Sequence, residues 1–579
     1  MSTAVNRPNR LSLLMLVGLV ALGANLFHMQ IVKGAYYRSL SEKNRLRVIY
    51  LEAARGKILD RHQKALATSH LSFNCSAIPR EAKAQLSQSC QMLAEILKED
   101  PEVLEERFYK KKPGAFRSVV VAEDISLTQA VEIEERLDVL PGFMVETRPQ
   151  REYPYKESLA HVTGYIGPMT EEEEEEATEI YGYSLADWVG RDGIEKNYES
   201  YLRGFSGGLQ IEVDSRGRMM RPMGVREPKE GKDIQLTVDA DLQSYTQSLL
   251  ESQKGAVFVM ELKEGGILAL NSSPSFDPNL FASKRGRKDV GKYLKGENAP
   301  MVNRGIRGAY PPGSIFKIVT ALAALDAHKI NPSDSVDCLG ILMLGGRGFP
   351  CWKEDGHGSQ TMTQAFAHSC NIYFYTLGVK AGLEAILNKA SALGFYRLTG
   401  VDLPGERTGF VPSRQWKRER RHEAWFDGET ANLAIGQGYL QVTPAQALVM
   451  ISAAATNGQI FKPHLIDKID GIKVVEAQNK KIAIPEPYWK AVKNGLDAVV
   501  NSDTGTGRLA KTPGVHVAGK TGTAQSGQDK THAWFVGYAP AENPKVALVV
   551  FLENGGRGGI AAAKIASAVF QKLNESHYL

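Results

Sequence analysis

The sequence predicts a multidomain protein of mixed α and β structure (α/β, or more narrowly α+β) with one N-terminal transmembrane helix. Three observations support this prediction. The chain has 579 residues, whereas a single hydrophobic core stops growing at about 250–300 residues. An apolar run of bilayer length lies near its start. Its second half mixes strand-like runs with helical periodicity, as in domains where a sheet packs against helices.

Bulk composition excludes two broad classes of protein. Hydrophobic residues make up 43% and charged residues 23% of the chain, which is typical of globular proteins and excludes a largely disordered or collagen-like chain. The net charge of +5 is spread along the chain without a long block of lysine and arginine. Nucleic-acid binding therefore has no electrostatic support.

The first element is the apolar run 11–27, LSLLMLVGLVALGANLF. It continues more weakly to residue 32 and can cross a bilayer, which needs about 20 residues. A cleaved signal peptide is the alternative, because Ala21, Gly23 and Ala24 resemble a cleavage site. The run is longer than the usual signal-peptide core, so an uncleaved anchor is favoured. Basic residues lie on both sides of the run, and charge alone leaves the orientation open.

Three segments are predicted along the chain: a tail with the anchor (1–35), a pedestal domain (36–230) and a catalytic domain (231–579). The polar stretch 226–232, REPKEGK, has the composition of a linker and sets the second boundary. Six consecutive glutamates at 171–176 are predicted to be solvated, because like charges repel one another.

Within the third segment, strand-like runs occur at both ends and helical periodicity lies between them. This order predicts a sheet built from the first and last parts of the segment, with a helical insert. The strand-like runs are 255–260, 266–270, 533–538 and 546–551, and the helical runs are 316–327 and 363–379.

The candidate nucleophile is Ser314, in the segment 311–317, PPGSIFK. The prolines and the glycine predict a turn before an apolar helix, which places Ser314 at the helix N-terminus and Lys317 one turn further on the same face. A desolvated, neutral lysine there can take the serine proton, and the helix N-terminus favours developing negative charge. A Ser-x-x-Lys tetrapeptide alone is weak evidence, because most chance matches are surface pairs on helices.

Two further motifs supply the context. Ser369 and Asn371 flank Cys370 and can present a hydroxyl and an amide to one cleft, although residues that cap helix ends give the same pattern. The tetrapeptide 520–523, KTGT, precedes an apolar strand, and Gly522 permits close approach of a backbone there. The joint occurrence of all three motifs in this order, at the spacing of one domain, is rare by chance.

The three motifs in this order resemble the motif set of penicillin-binding proteins and serine β-lactamases. Over nearly the whole chain, further segments look like those of class B penicillin-binding proteins, and within that class the penicillin-binding protein 2 family. The resemblance implies a mixed α+β pedestal and a transpeptidase domain of the serine β-lactamase type, with a central antiparallel sheet and a helical subdomain. The similar segments are RGKILDR (55–61), GIEKNYE (193–199), DSRGR (214–218), PSFDPNL (274–280) and YPPGS (310–314).

The resemblance also implies the activity, a D,D-transpeptidase that cross-links peptidoglycan stem peptides during elongation, maintains rod shape and binds penicillin covalently. In such an enzyme Ser314 attacks the penultimate D-alanine carbonyl and Lys317 is the general base. Ser369 relays a proton to the leaving amine with help from Lys520, and Asn371 holds the substrate amide.

Substrate-binding residues follow from the same resemblance. Lys520 and the hydroxyls of Thr521 and Thr523 suit a substrate carboxylate, with Gly522 between the two threonines. The amide groups of Ser314 and Thr523 form the oxyanion hole, whose donors act where negative charge develops.

Partners and location are likewise implied by the resemblance. The expected substrates are peptidoglycan stem peptides, and β-lactams are the expected inhibitors. A SEDS-family glycan polymerase of the RodA type and an MreC-type scaffold are the expected protein partners. This chemistry calls for a single-pass protein of the bacterial inner membrane, with its N-terminus in the cytoplasm and its catalytic domain in the periplasm.

A second candidate site consists of Cys338, Cys351, His357 and Cys370, with 12, 5 and 12 residues between successive members. Three thiolates and one imidazole can form a four-coordinate structural zinc site. A disulfide between Cys338 and Cys351 is a serious alternative in an oxidising compartment. Cys370 can also be a small buried hydrophobe.

The family resemblance favours zinc, since Gram-negative members of the penicillin-binding protein 2 family carry a zinc site of Asp, His and Cys at this location. His357 and Cys370 match two of those positions, and Cys351 stands where the family has an Asp. Asp337 or Asp355 competes with the first cysteine for the remaining position. One structural zinc ion per chain, fixing the loop of the second motif, is therefore expected.

The other two of the five cysteines, Cys75 and Cys90, are predicted either to form a disulfide or to remain free thiols. The sequence favours neither state over the other.

Other functions remain open. A β-lactamase shares the three motifs but hydrolyses its acyl-enzyme with a carboxylate-activated water, for which Glu406 or Glu423 is available; the long pedestal and the anchor argue against it. A carboxypeptidase differs only in using water in place of the acceptor amine. The non-enzymatic alternative is a membrane sensor or scaffold whose penicillin-binding domain only reports ligand.

Overall fold

The structure of the chain is a computed structural model. It describes residues 10–38, 46–110, 118–170, 188–213, 219–282, 287–294, 296, 298–474, 480–527 and 530–579. The glutamate run at 171–176 and the segment 214–218 lie outside the described residues.

The predicted anchor is a helix. It runs over Arg10–Phe27 and continues as one π-helical turn, His28–Val32, because no proline interrupts the apolar run. Its apolar span Leu13–Val32 has 20 residues and a mean hydropathy of 1.8. Among the described residues it is the one helix long and apolar enough to cross a bilayer, which is consistent with a single-pass anchor.

The chain packs into two compact units, and the first comprises Met1–Ala54, His70–Gln150 and Gly204–Gly231. Its core is apolar and includes Cys75 and Cys90, which are both buried and free. One three-stranded sheet in this unit has the order Leu46–Leu51, Gly207–Val213, Met219–Arg226. Its other strands are Val119–Ile125 and, in the parts that belong to this unit, Ala65–Ala77 and Phe143–Glu152. Its further helices are Pro79–Ala82, Leu86–Leu97, Pro101–Lys110 and Leu127–Glu134, with the 3-10 turn Lys83–Gln85.

The second unit comprises Arg55–Ser69, Arg151–Arg203 and Lys232–Leu579. Its centre is an antiparallel five-stranded sheet whose strands come from the two ends of the third predicted segment, which confirms the predicted sheet. The strand order is Ile267–Ser273, Gly255–Glu261, Val546–Leu552, Thr531–Ala539, Ala518–Gln525. Nearly every residue of these strands is buried, because helices or loops cover both faces of the sheet.

The helical insert lies between the second and third of these strands along the chain. Its most buried helix, Pro444–Ala455, has all of its residues in the core, and Thr443 caps it by accepting from Gln446 N. The insert contains the helices Asn279–Ala282, Arg287–Leu294, Lys317–Asp326, Met362–Ala367, Asn371–Ala381, Leu383–Ala392, Arg414–Arg421, Asp427–Ala434, Pro444–Ala455 and Glu486–Asn501. It also contains the 3-10 turns Gly313–Phe316 and Arg508–Ala510.

Smaller elements complete the second unit. Short paired strands are Ile166–Pro168 with Trp188–Gly190, Val336–Cys338 with Gly358–Gln360, Ile341–Leu344 with Arg347–Pro350, and Gln459–Ile460 with Lys480–Lys481. Ile472–Lys473, Ile466–Ile469, Ile234–Leu236 and Ile58–Leu59 pair in that order. The remaining helical elements are Lys156–Ser158, Ala160–Thr163, Gly193–Asn197, Glu199–Leu202, Ala240–Ser248 and Ala561–Glu575.

The two units differ from the predicted continuous segments 36–230 and 231–579, because two early stretches pack with the second unit. The fully buried carboxylate of Glu195 joins these two stretches to each other: it accepts from Arg151 Nε at 2.7 Å and from Arg55 at 2.7 Å. Burial alone would raise the pKa of Glu195, but Arg151 and Arg55 hold it below its ordinary value. Amino-acid composition along the chain cannot show that an early stretch packs with a later domain.

Replacing Glu195 by Gln is expected to cost about 3–5 kcal/mol of unfolding free energy, because Arg151 is left buried with an uncompensated charge. Urea unfolding followed by circular dichroism measures the loss. Glu264→Gln is the matched control: Glu264 pairs with Lys473 at 2.7 Å, but that pair is exposed and screened by water. Equal losses in the two variants would contradict the structural role of Glu195.

Candidate active site

Ser314 lies in a tight turn at the start of a buried helix. The 3-10 turn Gly313–Phe316 leads directly into the helix Lys317–Asp326, as the sequence predicts. Gly313 has a φ of +57°, and a Cβ there would lie 2.6 Å from Thr523 O, so only glycine fits this position. Gly313 N also donates to Gly436 O at 2.9 Å. The turn is thereby fixed from both sides, and Ser314 in it is partly exposed.

Lys317 is fully buried one turn behind the nucleophile. Its Nζ donates to Ser369 O at 2.8 Å and to Asn371 Oδ1 at 2.8 Å, and lies 3.2 Å from Ser369 Oγ. Burial lowers the pKa of Lys317 to about 7, against the smaller raising effect of the Cys370 and Cys351 thiols. A large neutral fraction at neutral pH makes this amine a competent base.

The hydroxyl of Ser369 joins two lysines. Lys520 is fully buried, and its Nζ lies 2.9 Å from Ser369 Oγ and donates to Thr521 O at 2.9 Å. Burial and the nearby charge of Lys317 hold the pKa of Lys520 well below its ordinary value. Ser369 has a φ of +50°, between the helices Met362–Ala367 and Asn371–Ala381. Such backbone strain persists where the surroundings fix it, as these contacts do.

The third motif lies on the edge strand Ala518–Gln525 of the central sheet. A Cβ at Gly522 would lie 2.8 Å from Pro312 O, so glycine lets this strand approach the nucleophile turn. Thr521 Oγ1 donates to Thr506 Oγ1 at 3.1 Å, and Thr523 Oγ1 accepts from Gly558 N at 3.2 Å. The edge strand and the turn that carries Ser314 therefore pack directly against each other.

No hydrogen bond between Ser314 Oγ and Lys317 Nζ occurs among the contacts of the described residues. The structure nevertheless brings together the segments of all three motifs: Lys317 and Lys520 meet at Ser369, and Gly522 packs on the turn that carries Ser314. A direct proton transfer between Ser314 and Lys317 would therefore require the two side chains to come within hydrogen-bond distance.

The four residues of the second candidate site also converge. The ligand atoms of Cys338, Cys351, His357 and Cys370 all lie within 4.8 Å of one another. His357 Nδ1 lies 3.5 Å from the Sγ atoms of both Cys338 and Cys351. All five cysteines of the chain are free, and neither predicted disulfide is present.

The donor set fits a tetrahedral zinc ion. Zinc–sulfur and zinc–nitrogen bonds of about 2.3 and 2.0–2.1 Å give ligand separations of about 3.5–3.8 Å, close to the 3.5 Å between sulfur and nitrogen here. A hydrogen bond from the Cys370 thiol lowers the pKa of Cys351 below its ordinary value. Asp337 and Asp355 are not members of the cluster.

Three residues that support the cysteine–histidine cluster and the third motif were not predicted from the sequence. His368 stacks on His357 with ring centroids 5.4 Å apart and bonds to Thr504 Oγ1 at 2.9 Å. Thr506, which accepts the bond from Thr521, comes from the same loop as Thr504. His368 could have been noticed as the neighbour of Ser369, whereas the sequence carries no signal for the two threonines.

The carboxylates required by the β-lactamase alternative are occupied elsewhere. Glu406 accepts from Thr399 N at 2.7 Å and from Gly400 N at 3.0 Å, and so closes a turn. Glu423 pairs with Lys417 at 3.2 Å. Among the contacts described for the chain, neither reaches any of the three motifs.

A serine at the start of a buried helix, with two desolvated lysines that meet at a second serine, is the arrangement of an enzyme that forms an acyl-serine intermediate. The antiparallel sheet with a Lys-Thr-Gly edge strand and a helical insert narrows this class to the penicillin-recognising serine enzymes.

Comparisons with known proteins agree with this class. The family model "Penicillin binding protein transpeptidase domain" matches residues 255–572, and "Penicillin-binding Protein dimerisation domain" matches residues 50–236. The chain is 33% identical to peptidoglycan D,D-transpeptidase MrdA of Haemophilus influenzae, over 96% of this chain and 90% of that protein. It is 31% identical to the Escherichia coli protein of the same name, over 95% of this chain and 90% of that protein.

Solved structures give the same result. The chain matches the penicillin-binding protein PBP2 in its complex with MreC from Helicobacter pylori, with a TM-score of 0.81 and 28% identity, over 92% of this chain and all of that one. PBP2 of Pseudomonas aeruginosa matches with a TM-score of 0.69 and 31% identity, over 90% of this chain and 96% of that one. The chain belongs to the penicillin-binding protein transpeptidase family and is a serine-type peptidoglycan D,D-transpeptidase.

Proposed function

We propose that this transpeptidase cross-links stem peptides through an acyl-enzyme on Ser314 and that the side chains of the three motifs have separate roles in the reaction. The observation that supports these roles is the cluster around Ser369, where Lys317 Nζ and Lys520 Nζ lie 3.2 and 2.9 Å from one hydroxyl oxygen. Two buried amines with lowered pKa values can accept and return protons at neutral pH.

Acylation begins with neutral Lys317. It takes the proton from Ser314 Oγ as that oxygen attacks the penultimate D-alanine carbonyl. The amides of Ser314 and Thr523 stabilise the oxyanion. The carbon–nitrogen bond then breaks, and the proton passes through Ser369, with help from Lys520, to the leaving D-alanine amine.

Substrate binding uses the same surface. Lys520 and the hydroxyls of Thr521 and Thr523 hold the terminal carboxylate, and Asn371 holds the substrate amide. Deacylation reverses the proton path: an acceptor amine attacks the ester, loses its proton to the site base, and the hydroxyl of Ser314 is restored. Water in place of the amine gives the carboxypeptidase reaction.

Mass spectrometry of the penicillin-treated protein, followed by peptide mapping, tests the nucleophile. The expected result is one penicilloyl group per chain on Ser314 that persists long enough to be isolated. Incubation with a D-Ala-D-Ala peptide and an amine acceptor should then give the cross-linked product and free D-alanine. An adduct on another residue would contradict the assignment, and rapid release of penicilloic acid would indicate a β-lactamase.

We also propose that Cys338, Cys351, His357 and Cys370 hold one structural zinc ion. Four protein ligands leave no open position, so the ion would stabilise structure and carry no reaction step. Two of the proposed ligands contact the second motif directly. Cys370 lies between Ser369 and Asn371 in the chain, and Cys351 Sγ accepts from Asn371 N at 3.4 Å. The ion would therefore fix the second motif.

Replacing Cys351 by Ser is expected to remove the metal, because a structural zinc site depends on its full set of ligands. Native mass spectrometry should show one zinc ion per chain in the unaltered protein and none in the variant, together with a lower melting temperature. Cys90→Ser, which alters a buried free cysteine outside the cluster, should keep the ion. Equal zinc content in both variants would contradict the proposed site.

The location and partners that we propose follow from the family. The N-terminal helix would cross the inner membrane once, with its start in the cytoplasm and the catalytic unit in the periplasm. A structure of PBP2 with MreC and one of a complex that coordinates polymerization and crosslinking support an MreC-type scaffold and a RodA-type glycan polymerase as partners during elongation. Protease digestion of the catalytic unit in spheroplasts, but not in intact cells, tests the orientation.

A further inference from the structure

A strongly basic helix, Arg414–Arg421, lies in the second unit. Five of its eight residues, RQWKRERR, are basic. Acidic partners neutralise only part of this charge: buried Lys417 pairs with Glu429 at 2.7 Å and with Glu423 at 3.2 Å. Arg418 and Arg420 are exposed and have no ion pair or hydrogen bond among the contacts of the described residues.

The helix is anchored to the rest of its unit by a cap, a buried lysine and a packed tryptophan ring. Ser413 caps it by accepting from Trp416 N, and Lys417 Nζ also donates to Ala424 O at 2.8 Å. The Trp416 ring packs against Phe410 and Tyr439 with centroid distances of 4.8 and 5.0 Å. Anchoring through Lys417 and Trp416 leaves the remaining basic side chains facing solvent.

The basic helix is linked through contacts to the turn that carries Ser314. Arg421 is placed over the ring of Tyr439, 5.4 Å from its centroid. Tyr439 follows Gly436 by three residues, and Gly436 O accepts from Gly313 N, one residue before Ser314. Arg421 is therefore the residue of the basic helix that connects, through Tyr439 and Gly436, to this turn.

We propose that Arg418, Arg420 and Arg421, here called the arginine surface, bind carboxylates of the peptidoglycan strand outside the reacting peptide. Each uncross-linked stem peptide ends in a carboxylate, so a strand that carries many of them is a polyanion. The planar guanidinium fork matches a carboxylate with two parallel hydrogen bonds. The carboxylate of the reacting peptide has its own site at Lys520. The inference rests on the peptidoglycan substrate of the proposed function.

An anionic phospholipid surface is the other polyanion that arginines attract. The position of the arginine surface favours the strand, because Tyr439 links it to the turn that carries the nucleophile. A strand with one stem peptide at Ser314 also carries neighbouring stem peptides, and their carboxylates are the groups that the arginine surface would bind.

The test compares the double variant Arg418→Gln/Arg420→Gln with the control Lys490→Gln/Lys564→Gln. The control removes the same charge from two exposed lysines on two other helices, and neither lysine has an ion pair among the contacts of the described residues. Full-length protein in neutral detergent is assayed with long uncross-linked glycan strands and with a short D-Ala-D-Ala peptide. For the arginine variant alone, we expect KM for strands to rise about fivefold and KM for the short peptide and acylation by penicillin to stay unchanged.

Strand binding measured on Ser314→Ala protein separates this inference from the proposed function, because binding needs no catalysis. The arginine double variant in that background should again bind strands more weakly, and added salt should reduce the difference. Equal strand affinity of the arginine and lysine variants would overturn the inference. So would unchanged strand affinity with lost binding to phosphatidylglycerol vesicles, which would assign the arginine surface to the membrane.

Discussion

Ser314→Ala is expected to abolish covalent acylation by penicillin and to lower strand cross-linking by at least about 10⁴-fold. The variant removes the only atom that forms the acyl bond in the proposed reaction. The hydroxyl makes no hydrogen bond among the described contacts, so the fold should remain intact. Intact mass after incubation with penicillin measures the adduct, and release of D-alanine measures turnover.

Ser248→Ala is the matched control, since Ser248 is an exposed serine on a helix of the same unit and bonds only to Tyr245 O. It should be acylated like the unaltered protein. Both variants should unfold at the same temperature. In cells, a Ser314→Ala strain that kept normal cross-linking and rod shape would favour the scaffold function over the enzyme.

Lys317→Met is expected to slow acylation by about 10³–10⁴-fold, the upper range for loss of a general base. Methionine fills much of the buried space of lysine but cannot take a proton. Stopped-flow measurement of acylation by a chromogenic cephalosporin gives the rate. The control is Lys389→Met, since Lys389 is also buried in this unit but pairs with Asp326 at 2.8 Å. It should acylate within about twofold of the unaltered protein.

The pH dependence of the unaltered protein provides a second measure of the same residue. Burial lowers the pKa of Lys317 to about 7, and only the neutral amine accepts a proton. Acylation should therefore rise with pH through about 7 and then level off. A rate that fell over this range would show that the charged form of Lys317 is the active one.

The sequence was sufficient for the class of enzyme and for the central sheet. Three short motifs predicted a serine-type enzyme, and strand-like runs at 255–260 and 546–551 correctly identified two paired strands of the sheet. Both features are local patterns of residue type, and local patterns survive in a single sequence. The joint appearance of Ser314, Lys317 and Lys520 needed no knowledge of distances.

Features that depend on contacts between residues far apart in the chain were not predicted from the sequence. Arg55–Ser69 and Arg151–Arg203 belong to the second unit and are joined to each other at the buried carboxylate of Glu195, and nothing near that residue in the sequence marks it as buried. The left-handed backbone at Ser369 and the support from Thr504 likewise depend on contacts between residues far apart in the chain. Sequence periodicity indicates which nearby residues share one face of a helix or strand, whereas these features are determined by contacts in the packed core.

Because the second unit is discontinuous in sequence, recombination between related genes can divide it. A single recombination point in the stretch 226–232 would join early segments of one parent to the late segment of another. Contacts inside one unit would then have mixed ancestry: Asp60 Oδ2 accepts from Ala240 N at 3.2 Å, and Tyr153 N donates to Asn279 Oδ1 at 2.9 Å. Hybrids would remain viable only where both parents keep compatible residues at these junctions.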